Sequence, residues 1–261
     1  MLKKFPLYIV ISLFLAIVAI VALDNNHSLF LSINKAGNTL ADEIWILIAT
    51  LGNKAFTLTL ILLVFWHKPR ILRAALIAGF IATLISLSMT SLVALLRPPA
   101  ILDPASFHLI GDRLMTNSFP AESAMGVFAI LGSVAFYFQS KRLTFLIFLL
   151  SSLVGLSYIM HGVHWPSDIL AGAALGWVCA WLGVYLVSAN IWRDNNIWNY
   201  LSYFIYLLIA AYLFWKGASN TDISWVIKAI AILGALVALW SVVWLKKGGN
   251  KEPVSMAGWL S

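Results

Sequence analysis

Charge is what this chain has least of: of its 261 residues, 10% are Asp, Glu, Lys or Arg, against 62% that are hydrophobic. Soluble domains carry about 25% charged and roughly 45–50% apolar residues. A soluble fold of this length cannot hide so much apolar surface, so the excess must face lipid. Cysteine is scarcer still. The single one, Cys179, falls inside an apolar run, which excludes an intrachain disulfide and leaves a small packing residue. Internal repeats and low-complexity linkers are missing. The formal charge of +7 does not gather on one soluble face, which argues against nucleic acid as a partner.

What the chain does have is long apolar runs. A bilayer span needs about 20 such residues. Eight runs qualify: 5–23, 44–66, 71–96, 121–138, 143–161, 168–188, 199–215 and 223–245. The second is interrupted at Gly52-Asn53, which predicts a broken span or a surface segment followed by a shorter one. The first follows Lys3 and Lys4, but its apolar stretch is long for a signal peptide and no small-x-small site precedes Asp24, so it reads as a retained anchor. The expected fold is an all-α polytopic bundle. A six-helix membrane domain covers 1–190, two further spans cover 191–245, and 246–261 form a cytoplasmic tail.

Lys3/Lys4, Lys68/Arg70/Arg73, Lys141/Arg142, Arg193 and Lys246/Lys247/Lys251 fall in alternate loops. The positive-inside rule makes those loops, and both termini, cytoplasmic in a plasma membrane, bacterial inner membrane being the natural setting. Tryptophans such as Trp66, Trp165, Trp192, Trp198, Trp215 and Trp244 stand near span ends and read as an interfacial belt. Gly172-x-x-x-Gly176 reads as a close helix contact.

On this topology Arg97–Pro120, His161–Asp168 and Lys216–Asp222 reach the outer side together, and the first two hold nearly all the unusual polar residues. Pro166 suits the first turn of a helix, which places Asp168 in that turn, favoured by the helix dipole. His164 lies just upstream, where the carboxylate can accept from one ring nitrogen and leave the other as a nucleophile or base. The plain alternative is an interfacial His beside a helix-capping Asp. Arg97-Pro98-Pro99 is a helix stop with a snorkelling arginine, or a guanidinium fork for phosphate oxygens. Asn117-Ser-Phe-Pro-Ala-Glu-Ser123 opens the next span. Its helix N-terminus is a capped start or an anion seat, and Glu122 would repel phosphate there unless it is protonated or paired.

Taken together, these segments resemble the type 2 phosphatidic acid phosphatase superfamily of membrane lipid phosphatases. That family shows K-x6-R-P, then P-S-G-H or P-S-D-H, then S-R-x5-H-x3-D. Here the three read Thr90-x6-Arg97-Pro98, Pro120-Ala121-Glu122-Ser123 and Ser157-Tyr158-x5-His164-x3-Asp168. The resemblance covers roughly 50–190. It implies His164 as the nucleophile of a phosphohistidine, Asp168 as its orienting partner and Arg97 as a phosphate clamp. Glu122, Ser123 and Ser157 are implied to border the substrate. It implies no metal and no cofactor.

Three family positions depart from the pattern: Thr90 stands for the lysine, Ser123 for the acid histidine and Tyr158 for the arginine. A general acid is worth about 10²–10⁴-fold in rate. His108, Arg113 and His161 are the nearest replacements by sequence, although His108 and Arg113 read equally well as solvated loop residues. The implied function is a phosphatase, diphosphatase or phosphotransferase acting on a lipid-linked phosphate at the outer face. Polyprenyl diphosphates such as undecaprenyl diphosphate, lipid A phosphates and phosphatidyl phosphates all suit the family. The alternative is a catalytically silent relative that binds a lipid headgroup or protein partner. A transporter ranks last, because most charges sit at span ends rather than at mid-bilayer. The last two spans read as a lateral wall for substrate entry or as a homo-oligomer interface.

Overall fold

The computed structural model describes residues 12, 14, 18, 25–37, 39–188, 196–216 and 224–248. All secondary structure among them is helical. The helices are α1 (Asn26–Gly37), α2 (Asp42–Thr50), α3 (Lys54–Phe65), α4 (Pro69–Leu92), a single turn α5 (Pro98–Ile101), α6 (Glu122–Phe138), α7 (Lys141–Met160), α8 (Pro166–Ser188), α9 (Asn196–Lys216) and α10 (Ser224–Lys246). A 3₁₀ turn, Pro104–Ser106, lies in the long loop before α6.

Five helices are long and apolar enough to cross a membrane: α4, α7, α8, α9 and α10. The pair α2–α3 makes a sixth candidate, bent by 67°. The bend falls at Gly52-Asn53, where the sequence predicts a break. Asn53 caps α3 by accepting from the Phe56 amide at 3.1 Å. The apolar helix α6 has 17 residues, about 26 Å at the usual rise, slightly short of the hydrocarbon thickness. The protein is therefore a multi-pass membrane bundle. The expected span at 5–23 and the tail beyond residue 248 lie outside the described residues, apart from positions 12, 14 and 18.

Large apolar side chains remain on the outside: Phe80, Leu92, Phe145 and Ile197 are well exposed. On a soluble monomer such a surface would be an aggregation hazard; here it is what lipid requires. The interior is centred on Trp177, with the rings of Phe128, Phe136 and Phe148 edge-on to it at 6.1, 4.9 and 5.9 Å. The two C-terminal helices share this core. Tyr203 Oη donates to Trp66 O at 2.6 Å, Tyr206 Oη donates to Leu72 O at 3.1 Å, and Leu245 is buried in the same cluster.

The contact that positions the site is α8 against α6. A Cβ at Gly172 would sit 2.7 Å from Ala121 O, and one at Gly176 would collide with Met125 O. Further along, a Cβ at Gly183 would lie 2.6 Å from Ala74 O, so α8 also presses its backbone on α4. Without a hydrophobic drive between helices in lipid, such small-residue contacts supply the van der Waals packing that holds them.

Gly172→Ala separates two opposing effects. Intrinsic helix propensity favours Ala by about 1 kcal/mol, whereas overpacking against an atom that cannot yield costs about 1–3 kcal/mol. The neighbour here is backbone, so the substitution is expected to lower the melting temperature of the detergent-solubilised protein.

Candidate functional site

The site is built where three chain segments meet at one end of the bundle. The first is the extended stretch after α4, which delivers Arg97. The second is the loop into α6, with Ser118, Ala121 and Glu122. The third is the turn between α7 and α8, with His164, Trp165 and Asp168. Pro166 does occupy the first turn of α8, and Asp168 lies in that turn.

Asp168 is fully buried. Its Oδ2 accepts from the Trp165 amide at 3.0 Å and from the Ser118 hydroxyl in a short hydrogen bond. Its own carbonyl accepts from the Ala121 amide at 3.1 Å, which stitches α8 to the start of α6. Oδ1 accepts no hydrogen bond from the described residues. His164 is 3% exposed. Its Nδ1 faces Asp168 Oδ2 at 3.6 Å, just beyond hydrogen-bond range. Its Nε2 lies 3.0 Å from Arg97 Nη1.

That last contact fixes the tautomer. A guanidinium can only donate, so Nε2 must be an acceptor and the ring proton belongs on Nδ1, toward Asp168. Burial lowers the His164 pKa from its ordinary value, Arg97 adding to the effect and Asp168 opposing it. Arg97 is anchored further: Nε donates to Thr116 O at 2.8 Å, and the same Nη1 also donates to Val163 O at 3.1 Å. Burial lowers its pKa too, and the fields of Asp168 and Glu122 pull the other way; an arginine stays charged regardless. Glu122 is thus within electrostatic reach of the same centre.

Glu122 has a partner. Its Oε1 accepts from Lys54 Nζ at 2.5 Å, and the same ammonium donates to Thr83 Oγ1 at 2.8 Å. The carboxylate in the first turn of α6 is thus paired with an ammonium.

The other sequence candidates divide. Thr90 Oγ1 donates back to Ser86 O on its own helix at 2.7 Å. Tyr158 is wedged onto Gly52 and donates to Ala49 O at 2.9 Å, tying α7 to the α2–α3 bend, while its ring stands edge-on to His164 at 6.1 Å. Ser123 lies within reach of the Tyr158 hydroxyl. Ser157 is fully buried and donates to Val154 O at 2.6 Å, so its hydroxyl faces its own helix rather than a ligand. His161 Nδ1 lies 2.7 Å from Ser157 O, and burial lowers its pKa. His108 is turned to Asp42, Nε2 to Oδ1 at 2.9 Å, and the Arg113 guanidinium is spent on Pro99 O at 2.7 and 3.2 Å. His108 and Arg113 therefore do not point into the centre. No metal-holding cluster of His, Cys, Asp or Glu occurs among the described residues.

Several supports are absent from the sequence candidates. Helix α1 underlies the site: Asn26 exchanges two hydrogen bonds with Ser167, at 2.6 and 3.1 Å, and Asn34 donates to the carbonyls of His108, Ile159 and Met160. Trp165 is no interfacial belt residue. It is buried, and its Nε1 donates to Leu96 O at 2.9 Å, holding the extended stretch that carries Arg97 against the α8 turn. The signals were the Asn25-Asn26 pair where α1 opens and the serine of Asn117-Ser118.

One end of the membrane bundle thus carries a buried His–Asp pair capped by an arginine. Residues 70–192, a little under half of the chain, match the PAP2 superfamily, which the chain resembles across that stretch. It is 32% identical over 91 residues to lipid A 1-phosphatase of Porphyromonas gingivalis, covering 34% of this chain and 20% of that protein. It is 36% identical over 126 residues to the bacitracin transport permease protein BcrC of Bacillus licheniformis, covering 46% of this chain and 60% of that one. The chain thus spans less than two thirds of either curated relative. Among solved structures it is similar to LpxE of Aquifex aeolicus, at 27% identity, TM-score 0.54, 61% of this chain and 94% of that one. It shares its fold with a PAP2-type phosphatidylglycerolphosphate phosphatase of Bacillus subtilis, at 20% identity, TM-score 0.52, 72% of this chain and 98% of that one.

Ser118→Ala removes one of two donors to the buried Asp168 oxygen. A buried acceptor left short of a partner costs about 1–3 kcal/mol. The variant is expected to melt at lower temperature than wild type, by more than Thr90→Ala, whose hydroxyl serves only its own helix.

Proposed function

We propose that this protein removes or transfers phosphate from a lipid-linked phosphate at the outer face of the membrane, through a phosphohistidine on His164. The observation that carries it is the single contact of Arg97 Nη1 with His164 Nε2 at 3.0 Å, with Asp168 behind Nδ1. The guanidinium caps the lone pair that would attack phosphorus. A phosphate oxygen is the better acceptor for arginine, so an arriving headgroup draws the guanidinium off and bares the nucleophile.

In the first step Nε2 forms a bond to phosphorus and the bond from phosphorus to the leaving oxygen breaks. The imidazole becomes cationic as it is phosphorylated, and the buried Asp168 carboxylate stabilises that charge. In the second step a water or acceptor hydroxyl attacks phosphorus, the phosphorus–nitrogen bond breaks and neutral His164 is restored. Ser123 stands where the family's proton donor would be. A diphosphate expels a phosphate, a far better leaving group than an alkoxide, so lipid diphosphates are the favoured substrates. Loop charges support an outward-facing site with both termini cytoplasmic, by the positive-inside rule.

A second reading, a silent headgroup-binding relative, is favoured by Thr90 and Tyr158, whose side chains are committed to carbonyl groups of the protein. His164→Ala separates the two. On the enzymatic reading it abolishes phosphate release with folding intact; a folded variant with wild-type turnover would refute that reading. In a matched panel, lipid diphosphates should outpace monophosphates, and Ser123→His should raise the monoester rate.

The pH profile has a definite sign. The nucleophile is the neutral ring, and burial lowers the His164 pKa, so the neutral form persists further into acid. The acid limb of kcat/KM for a lipid diphosphate should have its midpoint below the ordinary histidine value of about 6.5. A midpoint above it would contradict the assignment of His164.

A further inference from the structure

Lys54 is a lysine without a sequence motif. It opens α3, immediately after the bend at Gly52-Asn53, and its side chain crosses to the second-motif helix. Its aliphatic stem lies in a trough made by Gly126 on α6: a Cβ there would meet Lys54 Cγ at 2.6 Å. Glu122 lies one turn earlier on the same helix and takes the ammonium at 2.5 Å. Thr83 on α4 takes it from the other side at 2.8 Å.

As a structural strut this arrangement is weak. The Lys54 and Glu122 side chains are 23% and 54% exposed, and ion pairs so open to solvent contribute little to stability. As part of a phosphate cradle it fits the gap left by the sequence. Thr83 and Thr90 stand seven residues apart on one face of α4, about 10.5 Å along its axis. The helix face that has lost its lysine at position 90 is the face on which Lys54 arrives from a different helix. Glu122 also acts electrostatically on Arg97, which places the ammonium's partner within the field of the first phosphate clamp.

The surroundings say what kind of molecule the ammonium would meet. Lys54 lines a cavity of about 560 Å³ between α3, α4 and α9, walled by apolar side chains including Leu58, Leu76, Phe80, Ile205 and Ile209. A cation at the edge of an apolar, laterally placed cavity matches an amphiphile with an anionic head. The third wall comes from α9, one of the two helices beyond the segment matched to the superfamily.

Resting on the phosphatase reading above, we infer that Lys54 is a substrate-binding residue. It exchanges Glu122 for the phosphate of a lipid whose hydrocarbon chain lies in the α3–α4–α9 cavity. The charge missing at Thr90 is supplied from α3, and Glu122 holds the ammonium in place while no phosphate is bound.

The test uses the full-length protein in detergent micelles with a long-chain polyprenyl diphosphate, alongside His164→Ala. Lys54→Met is expected to raise KM about tenfold or more, with kcat changed much less, and Lys54→Arg to recover most of the loss. Gly126→Ala provides a variant that keeps the charge but displaces the stem that carries it, and it should raise KM in the same direction. It decides the matter if Lys54→Met fails to fold. A KM within twofold of wild type in folded Lys54→Met, or in Gly126→Ala, would overturn the inference. So would Lys54→Arg behaving no better than Lys54→Met. Wild-type turnover in His164→Ala would instead defeat the phosphatase reading itself, whatever Lys54 does.

Discussion

The site exists because two helices touch at their backbones. Gly172 and Gly176 remove the side chains that would hold α8 away from α6, and the carbonyls of Ala121 and Met125 fill the space. Once those axes are fixed, the first turn of α8 must lie beside the loop entering α6. The Ala121 amide then reaches the Asp168 carbonyl and Ser118 reaches the carboxylate. A wider interhelical spacing would leave Asp168 as a buried charge with half its donors, a costly state. Packing and chemistry are therefore one constraint: glycines more than one helical turn into the bundle determine whether the His164–Asp168 pair at its end can form.

The same constraint explains why burying the carboxylate is tolerable. Asp168 sits at the positive end of α8, accepts an amide and a hydroxyl, and faces the proton-bearing nitrogen of His164. Arg97 lies on the far side of that ring, so the order along the row is carboxylate, imidazole, guanidinium. The imidazole is held neutral by burial and oriented from both ends. Among the described residues Asp168 Oδ1 and His164 Nδ1 have no hydrogen-bond partner, and under the mechanism proposed above a cationic phospho-imidazole would draw upon them. A centre that satisfied every polar atom in its resting state would have less to offer a transition state.

Much of this was legible in the sequence, and the limits were physical. Long apolar runs located seven of the helical segments, and Gly52-Asn53 located the bend, because both signals are local. His164, Asp168 and Arg97 were nameable because proline and spacing fix where they fall relative to helix ends. Helix α1 escaped because it is short and half polar, and its role is to reach across 141 residues from Asn26 to Ser167. Trp165 misled for a related reason: a tryptophan at a span end is read as facing lipid headgroups, whereas here the indole faces inward onto Leu96 O. Arg113 and His108 were plausible replacements by proximity along the chain, yet nearby carbonyl and carboxylate groups had already taken them. Pairwise partnership is not a local property.

The two C-terminal helices acquire a purpose from how they are anchored. Tyr203 and Tyr206 hydrogen-bond to carbonyls of Trp66 and Leu72, on either side of the turn joining α3 to α4, and Gly234 of α10 lets Thr59 approach closely enough that a Cβ would lie 2.5 Å from its methyl. These contacts grip α3 along its length. A helix that begins at a sharp bend has little to fix its direction from the preceding segment, so its tilt must be set from outside. Because α9 and α10 supply that support, the N-terminal residue of α3 can carry a long, charged side chain across to α6 and keep it there. The additional spans thus need not touch the His164–Asp168–Arg97 row to influence its surroundings: they set the orientation of the helix that begins with Lys54.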